Sequence, residues 1–225
     1  MVILGKWKNQ SVTLSIKPNT LTISLDGSEG PRVLSYDLCG RLWTAMLRQV
    51  SYRRGLDGKV VAKWIAENGQ RDRRWLPVEE CRQLLIEAVE ITSNLLLAIQ
   101  RGEATLSPTL QPAEQVLLEK AAAFSPNQAA RDADHYRAIY KPVGILPPDQ
   151  YMAVVLQLTE GCAFNSCTFC TFYRDRPFRT KKLPEFAVHI QAISEVLGEG
   201  LSLRRAVFLC GGPSFLPICR CRRRG

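Results

Sequence analysis

Ser11–Gly27 reads SVTLSIKPNTLTISLDG. Val12, Leu14 and Ile16 alternate with polar residues, and Leu21, Ile23 and Leu25 do the same beyond Lys17-Pro18-Asn19-Thr20. A period of two on both sides of a turn predicts a β-hairpin with one buried face. Further β signals follow at Arg32 to Leu38, with a turn at Cys39-Gly40, then at Val50 to Arg53 and Lys59 to Trp64. Gly55-Leu56-Asp57-Gly58 has the composition of a hairpin loop. Residues 1 to about 66 are therefore expected to form a small antiparallel sheet.

The period changes at Pro77, which suits a helix start, and Glu79 and Glu80 favour its positive end. Cys81, Leu84, Leu85, Ala88, Leu95, Leu96 and Ile99 recur at helical steps, and Arg101-Gly102 closes the run. Gly102 to Gln111 reads as a loop. Further helices are expected over about Ala113 to Phe124 and Gln128 to Ala138. Asp132, Asp134 and His135 fit the exposed side of the last one better than a metal site. The expectation is an α+β domain over 1–140, β-rich at 1–66 and helical at 77–138. KPVGILPPDQ, residues 141–150, holds three prolines and a glycine and reads as a connector to a second domain at 151–225.

That second segment has a different pattern. Ala153 to Leu158 is apolar with little alternation, as in a buried parallel strand. Pro184 opens a helix lined by Phe186, Ile190, Ile193 and Leu197 and ended by Gly198 and Gly200. His189 lies near that apolar stripe and reads as packing. Ala206 to Cys210 is a second buried strand, followed by Gly211-Gly212-Pro213. Strand, helix, strand implies one right-handed βαβ unit. Parallel α/β folds place chemistry outside the C-terminal ends of their strands, where this segment carries LTEGCAFNSCTFCTFYRDRPFRTKK, residues 158–182.

The chain has 225 residues and a net charge of +9. Arg220, Arg222, Arg223 and Arg224 supply four of those charges, so the body is only moderately basic. Leu84 to Ile99 is too short to span a bilayer and carries Glu87 and Glu90. With no secretory signal visible, a cytoplasmic protein without membrane contact is expected. Its 8 cysteines then point to metal rather than disulfides. Cys39 and Cys81 stand alone and read as small packing residues.

Cys162, Cys167 and Cys170 form a C-x4-C-x2-C array. Thiolates are the soft ligands that iron–sulfur clusters need. Three of them close in sequence leave one iron of a four-iron cluster open to a small molecule. Glycines admit close backbone approach to a ligand, and Phe164, Phe169 and Phe172 are expected to shield the cluster from water.

This array, with Phe169 just before the last cysteine, resembles the radical S-adenosylmethionine (SAM) superfamily in its variant with a longer first spacer. TEGCAFNSCTFCTFYRDRPFR, preceded by ILPPDQYMAVVLQ, is similar to a bacterial group within it, over about Tyr136 to Leu209. The resemblance implies an α/β chain: the start of a partial (β/α)6 barrel behind the small α+β domain. It implies that Cys162, Cys167 and Cys170 bind a 4Fe–4S cluster, that Phe169 lies beside the adenine of SAM, and that Gly211 and Gly212 hold its amino group. It also implies an electron donor such as flavodoxin or ferredoxin, and reductive cleavage of SAM to a 5′-deoxyadenosyl radical that acts on a substrate. Pro213-Ser214 stand where the family's glycine motif usually has an acidic residue. The residues after Gln150 suffice for two barrel strands, so a truncated portion of the barrel that binds a cluster weakly is expected.

Two other readings come from the same residues. Zinc could take these cysteines with Cys210 or Cys219 as a fourth ligand. Arg174, Arg176, Arg179, Lys181 and Lys182, interleaved with Phe172, Tyr173 and Phe178, could contact RNA, although a solvated loop is the expectation. Either would make the chain a non-catalytic zinc- or RNA-binding module.

Overall fold

Strands dominate the first 75 residues of the computed structural model, which describes residues 1–28, 30–143, 146, 150–164, 166, 168 and 171–210. The chain divides into two units, Met1–Asp134 and His135–Gly225.

The first unit begins with β1 (Val2–Trp7), β2 (Gln10–Lys17), β3 (Thr20–Asp26), β4 (Arg32–Tyr36), β5 (Leu42–Leu47), β6 (Val50–Arg54), β7 (Val60–Ile65) and β8 (Arg71–Trp75). Each strand pairs antiparallel with the next. Helix α1 (Val78–Gln100) follows, then β9 (Thr105–Ser107), α2 (Pro112–Ala122) and α3 (Pro126–Ile139). Strand β9 returns to pair with β1, giving the order β8-β7-β6-β5-β4-β3-β2-β1-β9. Two hairpins close on non-glycine pairs in the left-handed region: Lys8 and Asn9 at φ 46° and 58°, Arg48 and Gln49 at 50° and 62°. Positive φ at both central residues is the turn whose twist matches that of the flanking strands.

The alternation in Ser11–Gly27 sets the buried face. Ile3, Val12, Leu14, Leu21, Ile23, Leu25, Leu34 and Leu47 are almost fully buried, as is Leu95 of α1. They belong to one core with Leu84, Leu85, Ala88 and Ile91 of the same helix. Tyr36 brings a hydroxyl into this core, where it meets Thr92 Oγ1 at 2.7 Å. Thr92 in turn donates to the Ala88 carbonyl at 2.9 Å. Burial pushes the Tyr36 phenol well above its ordinary range, so it stays neutral.

Charged groups fasten the start of α3. Arg41 Nε donates to Asp132 Oδ2 at 2.7 Å, both side chains being 13% exposed. The buried Arg54 donates to the Ala129 carbonyl at 3.1 Å and lies over the Phe124 ring. Asp132, expected on an exposed helix side, is thus a largely buried ion-pair partner.

The second unit contains β10 (Ala153–Gln157), β11 (Thr159–Glu160), β12 (Arg179–Thr180), α4 (Leu183–Leu197), a 3-10 turn over Gly198–Leu203 and β13 (Ala206–Cys210). Strands β10 and β13 pair parallel, and β11 pairs antiparallel with β12.

The expected fold class is corrected by this architecture. The described residues build a nine-stranded antiparallel sheet and four α-helices, not the start of a (β/α)6 barrel behind a small domain. The described residues contain one parallel pair and no closed barrel. A single βαβ unit is common to many α/β folds, and nothing in residues 153–210 specifies the strands that would close one. The sheet also exceeds its expected limit of about residue 66, running on through Trp75 and adding Thr105–Ser107.

Candidate functional site

The cysteine-bearing loop leaves β10 and returns at β12, and its two ends are tied together. Thr159 pairs with Thr180 and Glu160 with Arg179. The Lys181 amide donates to the Leu158 carbonyl at 2.9 Å. Gly161 stands at the crossing with φ +72°, and a Cβ there would meet the Pro177 carbonyl oxygen at 2.5 Å. Only glycine both adopts that backbone without strain and leaves that space.

Glu160 organises the charges at this neck. Arg179 grips its carboxylate through Nε at 3.0 Å and Nη2 at 3.1 Å, and also reaches Glu185 Oε1 at 2.7 Å. Lys181 Nζ donates to Glu160 Oε1 at 2.9 Å and to the Gln157 carbonyl at 2.8 Å. The Lys181 side chain is 7% exposed and that of Glu160 14%. The Arg179 hydrogen bonds, then Lys181, bring the Glu160 carboxyl down to about 2.

The floor of the site is the end of β10. Gln157 is buried, and its amide accepts from the Lys141 amide at 3.0 Å and donates to the Lys141 carbonyl at 2.8 Å. Its backbone N–H donates to His189 Nε2 at 3.1 Å. That nitrogen therefore carries no proton, and burial followed by Lys181 holds His189 below its ordinary range. Tyr140 stands edge-on to the same ring and donates to the Val155 carbonyl at 2.7 Å. His189 is buried packing, as its place on the apolar stripe suggested, with one added duty as an acceptor.

Among the expected site residues, Cys162 is described: it follows Gly161 directly and is half-buried. Cys167, Cys170, Phe169, Gly211 and Gly212 lie outside the described residues, as does part of the 141–150 connector. Gln157 pairs with Cys210 in the parallel register. Strands β10 and β13 thus end side by side, at Gln157 and Cys210. Phe164 and Phe172, expected to shield a cluster, are 67% and 50% exposed. Among the described residues no group of three or more His, Cys, Asp or Glu side chains could hold a metal ion. The pocket lined by Gln157, Glu160, Gly161, Tyr173 and Arg176 has room for no more than about one water molecule.

Sequence reasoning missed the neck. Arg179 and Lys181 read as members of a solvated basic run, yet both are committed to Glu160. Arg176 is likewise engaged, donating to the Pro142 carbonyl and lying over the Tyr173 ring. The available signal was Glu160-Gly161 before the first cysteine and Arg179-Thr180-Lys181 after the last: opposite charges at the two ends of one loop.

The pH dependence of the neck follows. The Glu160 carboxyl falls from its ordinary 4.5 to about 2 in the folded chain. Its stabilisation is therefore complete above about 4.5 and is lost as pH falls through about 2. Glu160→Gln is expected to destabilise the second unit by about 1–2 kcal/mol at neutral pH, allowing for screening on the open Arg179 side. That penalty should shrink steadily below about pH 4.5. A carboxyl NMR titration of Glu160 together with thermal melts of the pair checks this, and a penalty constant down to acid pH would rule it out.

No helix among the described residues is long and apolar enough to cross a membrane. Compared with known proteins, the chain matches no family model, no curated protein and no solved structure.

Proposed function

We propose that residues 161–178 form a cofactor loop in which Cys162, Cys167 and Cys170 bind a 4Fe–4S cluster and SAM occupies the open iron. One observation carries the reading furthest: the loop that holds all three thiols springs from the C-terminal end of a parallel strand with its two ends tied together by β11–β12, Gly161 and Glu160. Closing a loop in advance removes part of the ordering cost that ligand binding otherwise meets. The donor chemistry fits, since three thiolates suit iron–sulfur better than a hard cation.

A bound cluster would supply an electron for reductive cleavage of SAM to methionine and a 5′-deoxyadenosyl radical, which acts on a substrate. The chain's own residues do the positioning. Gly161 lets the first cysteine turn away from the strand end, and Lys181 and Arg179 hold Glu160 ionised and engaged, so no loose carboxylate stands at the loop entrance. Phe169, Gly211 and Gly212 are proposed for SAM. A cytoplasmic location with a flavodoxin or ferredoxin as donor goes with this reading, because reduced thiols persist in that compartment.

Anaerobic reconstitution with iron and sulfide tests it. The expected product is brown and loses its visible absorption on reduction, holding about four irons per chain while excess iron and sulfide are present and fewer after desalting. A colourless protein that takes up zinc instead would refute it.

A further inference from the structure

The outer face of the large sheet near β8 is the other place where chemistry gathers, and we infer that it binds single-stranded nucleic acid. Lys63 pairs with Arg73, Ile65 with Arg71 and Val61 with Trp75, while Ser51 pairs with Lys63 and Arg53 with Val61. Since side chains alternate between faces, Arg53, Lys63, Arg71, Arg73 and Trp75 share the face opposite the core. Ser51, Lys63, Ile65, Arg71 and Arg73 line one surface concavity.

Three features of this face favour an extended polyanion with flat bases. Three of its cations are not neutralised: among the described residues no carboxylate pairs with the side chain of Lys63, Arg71 or Arg73. Asp72, the one carboxylate lining the concavity, stands at the alternate register position and accepts the Arg73 amide at 2.7 Å. In contrast Arg74, on the other face, is paired with Glu80. The face is also aromatic. Trp75 is 67% exposed, and Trp43 lies beneath the Arg53 guanidinium at 5.3 Å. Exposed tryptophan among arginines is the composition of a base-stacking platform. Lastly, Arg71, Arg73 and Trp75 follow one another along β8 at roughly 7 Å steps, a straight track along the strand.

Edge protection explains part of the pattern, because charge on an outer strand discourages further strand pairing. It does not call for a solvent-exposed tryptophan in line with the arginines.

The test uses the full chain and fluorescence anisotropy with labelled oligo-U, oligo-dT and a duplex of equal length. Wild type is expected to bind both single strands more tightly than the duplex, with affinity falling as salt rises. A Lys63→Ala/Arg71→Ala/Arg73→Ala triple variant should lose at least about tenfold and flatten the log–log salt slope by about two. Trp75→Ala should lose about tenfold with the slope unchanged. All four positions are on the surface, and circular dichroism confirms that the variants are folded. Comparison of oligo-U with oligo-dT distinguishes RNA from DNA as the preferred strand. Binding that survives the triple substitution overturns the proposal. So does an absence of oligonucleotide binding, or retention on anionic vesicles that the triple variant abolishes in its place.

Discussion

Leu95→Ala is expected to cost about 3–4 kcal/mol, the largest stability loss from any single truncation on α1. Leu95 is fully buried in the core that α1 shares with the sheet. Removing a buried leucine side chain forfeits its transfer free energy and leaves a cavity that neighbours fill only in part. Within the first unit α1 supplies much of the apolar cover on the inner face of the sheet, through Leu84, Leu85, Ala88, Ile91 and Leu95. Leu97, two residues on, is 44% exposed, and its alanine variant should change stability by less than about 0.5 kcal/mol. All four tryptophans, Trp7, Trp43, Trp64 and Trp75, lie in the first unit. Tryptophan fluorescence in a urea titration therefore reports on this unit. Equal effects of the two substitutions would contradict the assignment of Leu95 to the load of the core.

If the loop holds the proposed cluster, Gly161→Ala is expected to cost most of the iron bound on reconstitution while leaving that urea transition in place. An added Cβ at φ +72° is strained on backbone grounds alone, and it would press on the Pro177 carbonyl oxygen at 2.5 Å. Opening the β11–β12 ladder would relieve that clash and would also free Glu160 from Arg179 and Lys181. Iron retained after desalting is the measurement, with an expected fall of about tenfold or more, as seen when groups that support metal ligands are removed. A Gly161→Ala chain that retains iron as wild type does would show that the neck plays no part in holding the loop.

Much of this architecture is legible in the residues, unevenly and for identifiable reasons. Val12 to Leu25 shows its hairpin because one face is buried and the period of two is unbroken. The helices read well because Leu84, Ala88 and Leu95 must all face the sheet. The strand β8 does not, since RDRRW at an exposed edge buries nothing and so has no apolar alternation, although Asn68-Gly69 before it is a turn signal. Strand β5 hides behind Arg48-Gln49, a turn whose residues give no hint of positive φ. Strand β9 is three residues long and exists only because β1 offers an edge. In the second unit, strand, helix and strand were readable from apolar runs, whereas their extension to a barrel came from the resemblance and not from those residues. The neck was hidden because Arg179 and Lys181 look like any solvated cations until Glu160 is brought beside them by the ladder.

In the proposed function the three cysteines leave one iron open to SAM. Electron paramagnetic resonance of the reduced, reconstituted protein with and without SAM tests it most directly. The expected result is a cluster signal that shifts when SAM is added and that is absent from Cys162→Ala, Cys167→Ala and Cys170→Ala. A signal indifferent to SAM, or one that persists when any of these cysteines is removed, would contradict it.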